Sequence, residues 1–187
     1  MRPAIFLDKD GTLLDDVPFN VEPARMRLAP GAAEGLYRLA QLGAPLVVVS
    51  NQSGVAERRF DESALHRVGD HLAAMFGACG ARLAGFHWCP HARDAAPACP
   101  CRKPAPGMLV RAAAELALDL SRSWMIGDIL DDIEAGHRAG CRAVLIDNGN
   151  ETEWRAGPKR EPDFVAHSLA DAAETIALRW PALAAAA

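Results

Sequence analysis

The 187-residue chain has no apolar run approaching the roughly 20 residues that a membrane-spanning helix requires. Its first apolar run, Ala4-Ile5-Phe6-Leu7, meets an acid at once and is too short for a secretory signal, so a soluble, cytoplasmic protein is expected. A block of Lys or Arg is also missing. The 20 basic residues are outnumbered by 24 acidic ones, the formal charge is -4, and no basic stripe suited to a nucleic acid stands out. No internal repeat is visible. Cysteine is scarce and odd in number, yet three of the five crowd between Cys89 and Cys101. In a reducing compartment such crowding suggests metal ligation rather than disulfides.

Half of the residues are hydrophobic, enough for one substantial core but too few for two comfortable domains. The expectation is a single domain over residues 1–187, monomeric, with a frayed Ala-rich tail at 182–187. Short apolar runs alternate with longer amphipathic segments, the pattern of an α/β fold built on a parallel sheet. Strands are expected at 4–7, 45–49, 85–88, 124–126 and 143–146, with a short edge strand at 163–165. Helices are expected at 31–42, 61–79, 107–118, 131–139 and 168–178. Several of these helices are punctuated by a following glycine such as Gly43, Gly80 or Gly140. The segment 149–161 reads as a polar loop.

In open α/β sheets ligands bind beyond the carboxyl ends of the strands. The residues placed there are Asp8 and Asp10 after the first strand, Ser50 and Asn51 after the second, and Gly127 and Asp128 after the fourth, with Lys103 in a loop before a helix. Each alone is ordinary turn or cap chemistry. Together they suit phosphoryl transfer. A carboxylate, Asp8, can attack phosphorus and divide hydrolysis into two easier steps. Two anionic reactants need a cation between them, and Asp8 with Asp128 offers the hard oxygen ligands that magnesium prefers. Lys103 and the Ser50 hydroxyl can hold the equatorial oxygens as charge shifts. Asp10 is spaced to protonate the leaving oxygen and then to deprotonate water.

A second constellation lies at 89–101. Cys89-Pro90-His91, seven residues, then Cys99-Pro100-Cys101 supply four ligands suited to tetrahedral zinc, and a closed set of four implies a structural role. Arg102 and Lys103 follow directly, so zinc here would fix where two cations point. Cys79 and Cys141, like His66, His71, His87, His137 and His167, carry no assignment.

Asp8-Lys9-Asp10-Gly11-Thr12 resembles the first motif of the haloacid dehalogenase (HAD) superfamily, Asp-x-Asp-x-Thr; Ser50-Asn51, Lys103, and Gly127-Asp128 with Asp131 or Asp132 supply the other three in order. The resemblance implies a three-layer Rossmann-like fold, with Asp8 as nucleophile and Asp10 as general acid/base. It also implies magnesium held by the side chains of Asp8 and Asp128 and the backbone carbonyl of Asp10. Asp132 is expected to orient Lys103 or Asp128. Cys-Pro-His, Cys-x-Cys-Arg-Lys-Pro and Asn-Gln-Ser-Gly are similar to the heptose 1,7-bisphosphate and histidinol phosphatase groups of subfamily IIIA. That likeness implies substrate contacts from Asp16 to Phe19, from Ser50 through Asn51 and Gln52 to Ser53, and from Arg102 and Lys103. The gaps after the first motif and second strand leave no room for a large cap domain. A second phosphate would need its own cation, with Arg102, Arg58 and Arg59 as candidates. The chain departs from the heptose group at Glu57 and Ile129, where that group carries Arg and Lys. The expected activity is removal of the C7 phosphate of a heptose bisphosphate, with histidinol phosphate or another small phosphomonoester as the alternative. A silent binding protein of the same fold is the reading from another class.

Overall fold

The computed structural model describes residues 1–95 and 97–180. The tail expected to fray at 182–187 lies outside the described residues. Elements follow one another as β1 (Ile5–Leu7), α1 (Ala32–Ala40), β2 (Leu46–Asn51), α2 (Glu62–Ala78), β3 (Leu83–Cys89), α3 (Gly107–Leu116), β4 (Trp124–Gly127), α4 (Leu130–Ala139), β5 (Arg142–Ile146), β6 (Phe164–Ala166) and α5 (Leu169–Ala177). The sheet order is β3-β2-β1-β4-β5-β6, every neighbouring pair parallel.

Strands covered on both faces need no polar alternation, which is why β1, β2 and β4 read as continuous apolar runs. Alternate residues divide between two helix layers. Ile5, Leu7, Leu46, Val48, Trp124 and Ile126 pack against α1, α2 and α5. Phe6, Val47, Val49 and Met125 face α3 and part of α4, while Ala143 and Leu145 meet Leu130 and Ile133 of α4. Each such buried side chain contributes roughly 1.5–3 kcal/mol over leaving it exposed. Three layers result, and among the described residues no cap domain interrupts them.

Both ends of β3 differ from expectation. β3 begins at Leu83, ahead of Gly85, because the register shifts opposite Leu46 and Val47. It also runs through Cys89, so the first ligand of the cysteine cluster stands on the sheet. Asp61 occupies the N-cap of α2, but its side chain makes no capping hydrogen bond.

The order places β1 at the point where the chain reverses direction, with β2 on one side and β4 on the other. That reversal leaves a crevice beyond the carboxyl ends of β1 and β4. The candidate catalytic residues sit there.

Candidate active site

Asp8 leaves β1 with its N–H still in the ladder, donating to Ile126 O at 2.9 Å. The chain then curls: the Lys9 carbonyl accepts from Leu13 N at 3.1 Å and Leu14 N at 2.8 Å. Gly11 stands at φ +85°, and a Cβ there would overlap the Asp128 carboxylate. Glycine is required at this position on both counts.

Lys103 enters from the loop before α3 and is fully buried. Its ammonium contacts Asp8 Oδ1, lies 2.6 Å from Asp132 Oδ1 and donates to Val49 O at 3.1 Å. Burial would push this ammonium down, but Asp132 and Asp8 beside it hold it above the ordinary lysine range. Asn51 fixes the lysine backbone from both sides: its Oδ1 accepts from Lys103 N at 3.0 Å and its Nδ2 donates to Lys103 O at 3.1 Å. Asp132 sits in the first turn of α4, where the helix dipole favours an acid, and its Oδ2 accepts from Ile129 N at 3.3 Å. Gly127 lets it approach, since a Cβ there would overlap the Asp132 side chain.

Asp128 completes the acidic cluster. Thr12 Oγ1 donates to its Oδ1 and Asn150 Nδ2 to its Oδ2, each at 2.9 Å. Ligand oxygens of Asp8, Asp128 and Asp132 all lie within 4.8 Å of one another. Three buried carboxylates face one ammonium, and burial, followed by the charge of Asp8, pushes the Asp128 carboxyl up to about 7. Such a donor set suits a hard divalent cation.

Asp10 lies on the cleft side. Lys9 Nζ reaches its Oδ1 at 2.6 Å and Gln52 Nε2 its Oδ2 at 3.1 Å. Burial pushes its carboxyl up against the pull of Lys9. The Gln52 amide also donates to the buried Ser50 Oγ at 2.8 Å. Asp10, Asp16, Phe19, Asn51, Gln52 and Ser53 share one cleft of about 250 Å³. Ser53 Oγ bonds Glu57 at 3.1 Å. Arg102 donates to His91 O at 3.2 Å, and Arg59 pairs with Glu57 at 2.8 Å while lying 3.9 Å over the Phe19 ring. Arg102 also lines a neighbouring cleft with Arg93 and Lys103.

The second constellation is equally compact. Cys99 Sγ lies 2.9 Å from Cys101 Sγ and 3.7 Å from Cys89 Sγ, and His91 Nδ1 is 3.0 to 3.5 Å from all three sulfurs. All five cysteines are free.

Sequence reasoning missed the loop after β5. Asn148 Nδ2 donates to Gly11 O at 2.7 Å, Asn150 reaches Asp128, and Glu151 accepts from Leu130 N at 2.7 Å, capping α4. Arg160 pins the far end of that loop to Asp131 at 2.9 Å and Glu134 at 2.6 Å. It missed Lys9 as well, which has no exposed surface.

A family model described as HAD-hydrolase-like matches residues 100–172. The chain is 36% identical over 180 residues to a D-glycero-beta-D-manno-heptose-1,7-bisphosphate 7-phosphatase of Photorhabdus laumondii, covering 93% of this chain and 95% of that one. It is 34% identical over 180 residues to the Escherichia coli (strain K12) protein of the same name, with 93% of each covered. Among solved structures, D,D-heptose 1,7-bisphosphate phosphatase from B. bronchiseptica, complexed with magnesium and phosphate, superimposes with a TM-score of 0.82 at 32% identity, covering 96% of this chain and 99% of that one. A central parallel sheet, four motifs gathered at its carboxyl edge and these full-length relatives together place the chain in the HAD superfamily, among its phosphatases, which are phosphoric monoester hydrolases.

Proposed function

We propose that this phosphatase removes the C7 phosphate of D-glycero-D-manno-heptose 1,7-bisphosphate through an aspartyl-phosphate on Asp8. The observation that carries the chemistry is the buried cluster in which Asp8 contacts Lys103 and shares a possible metal site with Asp128. Full-length relatives of that name support the substrate.

Asp8 attacks phosphorus as the bond to the leaving oxygen breaks, and Lys103, held in register by Asn51, balances charge on the equatorial oxygens with the Ser50 hydroxyl. Asp10 gives its proton to the leaving oxygen. The resulting carboxylate then takes a proton from water, whose oxygen attacks phosphorus, releases phosphate and restores Asp8. Magnesium fits the all-carboxylate donor set; Asp8, Asp128 and the Asp10 carbonyl would hold it, and when bound it neutralises charge between the two anionic reactants. Zinc fits the three thiols and one imidazole, where four protein ligands leave no position for substrate. Its role would be to fasten the segment that ends in Arg102 and Lys103. Unpaired thiols suit a reducing compartment such as the cytoplasm.

The substrate is tested by comparing kcat/KM on the heptose bisphosphate, histidinol phosphate and sugar monophosphates with magnesium present. At least a tenfold preference for the bisphosphate is expected. Preference for histidinol phosphate would overturn the substrate while leaving the chemistry standing.

A further inference from the structure

Two lysines are buried at the catalytic edge, and they are divided between different carboxylates. Lys103 contacts Asp8 and Asp132. Lys9 has no exposed surface and lies 2.6 Å from Asp10 Oδ1. Its other polar contact is the Asn20 carbonyl at 3.4 Å, at the end of the segment that walls the cleft. Among the described residues, Asp10 is the only acid within ion-pair distance of Lys9. Burying an ammonium is costly unless it is paired and hydrogen-bonded, so this lysine is a poor choice as filler beneath a turn. An apolar residue would fill the space more cheaply. The opposite oxygen of Asp10 is taken by Gln52 at 3.1 Å, and Gln52 is itself tied through its backbone N–H to Cys89 O at 2.8 Å. Asp10 is thus gripped at both oxygens from the segments that follow β1 and β2, and each oxygen keeps a second lone pair for a proton.

We propose that Lys9 is a positioning residue that, with Gln52, holds the Asp10 carboxyl on the leaving-group side and keeps it from turning toward Lys103. A free carboxyl at this position would be drawn to the second buried cation, away from the cleft, because Lys103 stands beside the neighbouring nucleophile. Assigning one lysine to each aspartate keeps nucleophile and proton donor apart. The inference rests on the reading of Asp10 as acid and base in the proposed function. It adds a residue whose side chain touches neither substrate nor metal.

The two steps of hydrolysis give a test that separates positioning from general stability. kcat/KM reports the attack on phosphorus alone, and p-nitrophenolate leaves without a proton donor, whereas an alkyl oxygen needs one. In Lys9→Met, kcat/KM on the best alkyl phosphate of the wild-type panel is expected to fall at least thirtyfold and that on p-nitrophenyl phosphate less than threefold. A burst of p-nitrophenol equal to the enzyme concentration should appear, because breakdown of the aspartyl-phosphate still needs Asp10 as base. Lys9→Arg should restore most of the alkyl rate. Equal losses on both substrates with no burst would mean that Lys9 only supports the fold, and would overturn the proposal. Should Lys9→Met not fold, Lys9→Leu removes the same contact with a different packing shape, and the same split or its absence decides. A wild-type enzyme inactive on every ester would instead sink the reading of the site itself.

Discussion

The acidic cluster and the cysteine cluster are linked by Lys103, which contacts Asp8 and Asp132 and follows Cys101 closely in the chain, and they are held in opposite ways. Asp8 and Asp128 are buried at the ends of β1 and β4, and Asp132 in the first turn of α4, so regular backbone sets their positions before any ligand arrives. Cys99, Cys101 and His91 lie in an irregular and more exposed segment, and only Cys89 is carried by a strand. In the first region the scaffold positions the donors. In the second, on the proposed reading, a metal bridging the donors would position the chain, including the arginine and lysine that follow. A catalytic ion can then be exchanged without disturbing the fold, whereas a structural ion is part of it.

The difference can be broken from either side. The largest effect is expected for Asp8→Asn, which keeps shape and hydrogen bonding but removes the nucleophile. Turnover should drop at least about 10³-fold, with far-UV spectrum and bound zinc unchanged, as read by steady-state rates and metal analysis. Next comes Asn150→Ala. Loss of an outer contact to a metal-binding carboxylate is worth about 10- to 100-fold in affinity, so the magnesium half-saturation point should rise by that factor while kcat at saturation holds.

On the other side, Cys99→Ser, or chelation of the zinc that this cluster is proposed to hold, should act mainly on stability. A drop in Tm of about 5 °C is expected by calorimetry, the shift produced by roughly 2 kcal/mol in a chain of this size, together with earlier proteolysis near residue 95.

The remaining effect concerns pH. The Asp128 carboxyl, pushed up to about 7 by burial and by Asp8, ionises at higher pH in the folded protein than in the unfolded chain. Between about pH 4 and 7 the folded state holds a proton that the unfolded state has lost. Stability of the metal-free protein should therefore fall as pH rises through that window. Urea titrations across the range should show the slope, and Asp128→Asn should reduce it, leaving the part that the raised Asp132 and Asp10 carboxyls contribute.

The residues legible in the sequence are those whose position follows from a strand. Asp8 and Asp10, Ser50 and Asn51, and Gly127 and Asp128 each come directly after an apolar run, and the alternation of strands and helices was enough to align those runs in one parallel sheet. Cys89, His91, Cys99 and Cys101 were legible by ligand type and crowding. Asn148, Asn150 and Glu151 were not. They lie in a polar loop without periodicity, and their partners Gly11, Asp128 and Leu130 are brought near only by the fold. Lys9 was hidden for a different reason: a lysine between two aspartates reads as a solvated charge, and nothing local announces that the turn over Gly11 buries it. The start of β3 was obscured by the register shift opposite β2, an effect of pairing rather than of composition.

The most direct measurement is mass analysis of protein quenched in acid within the first turnover. The covalent account predicts one phosphoryl group on the peptide carrying Asp8, absent in Asp8→Asn. A phosphoryl group on another residue, or substrate consumed at full rate with none on the protein at any time, would contradict it.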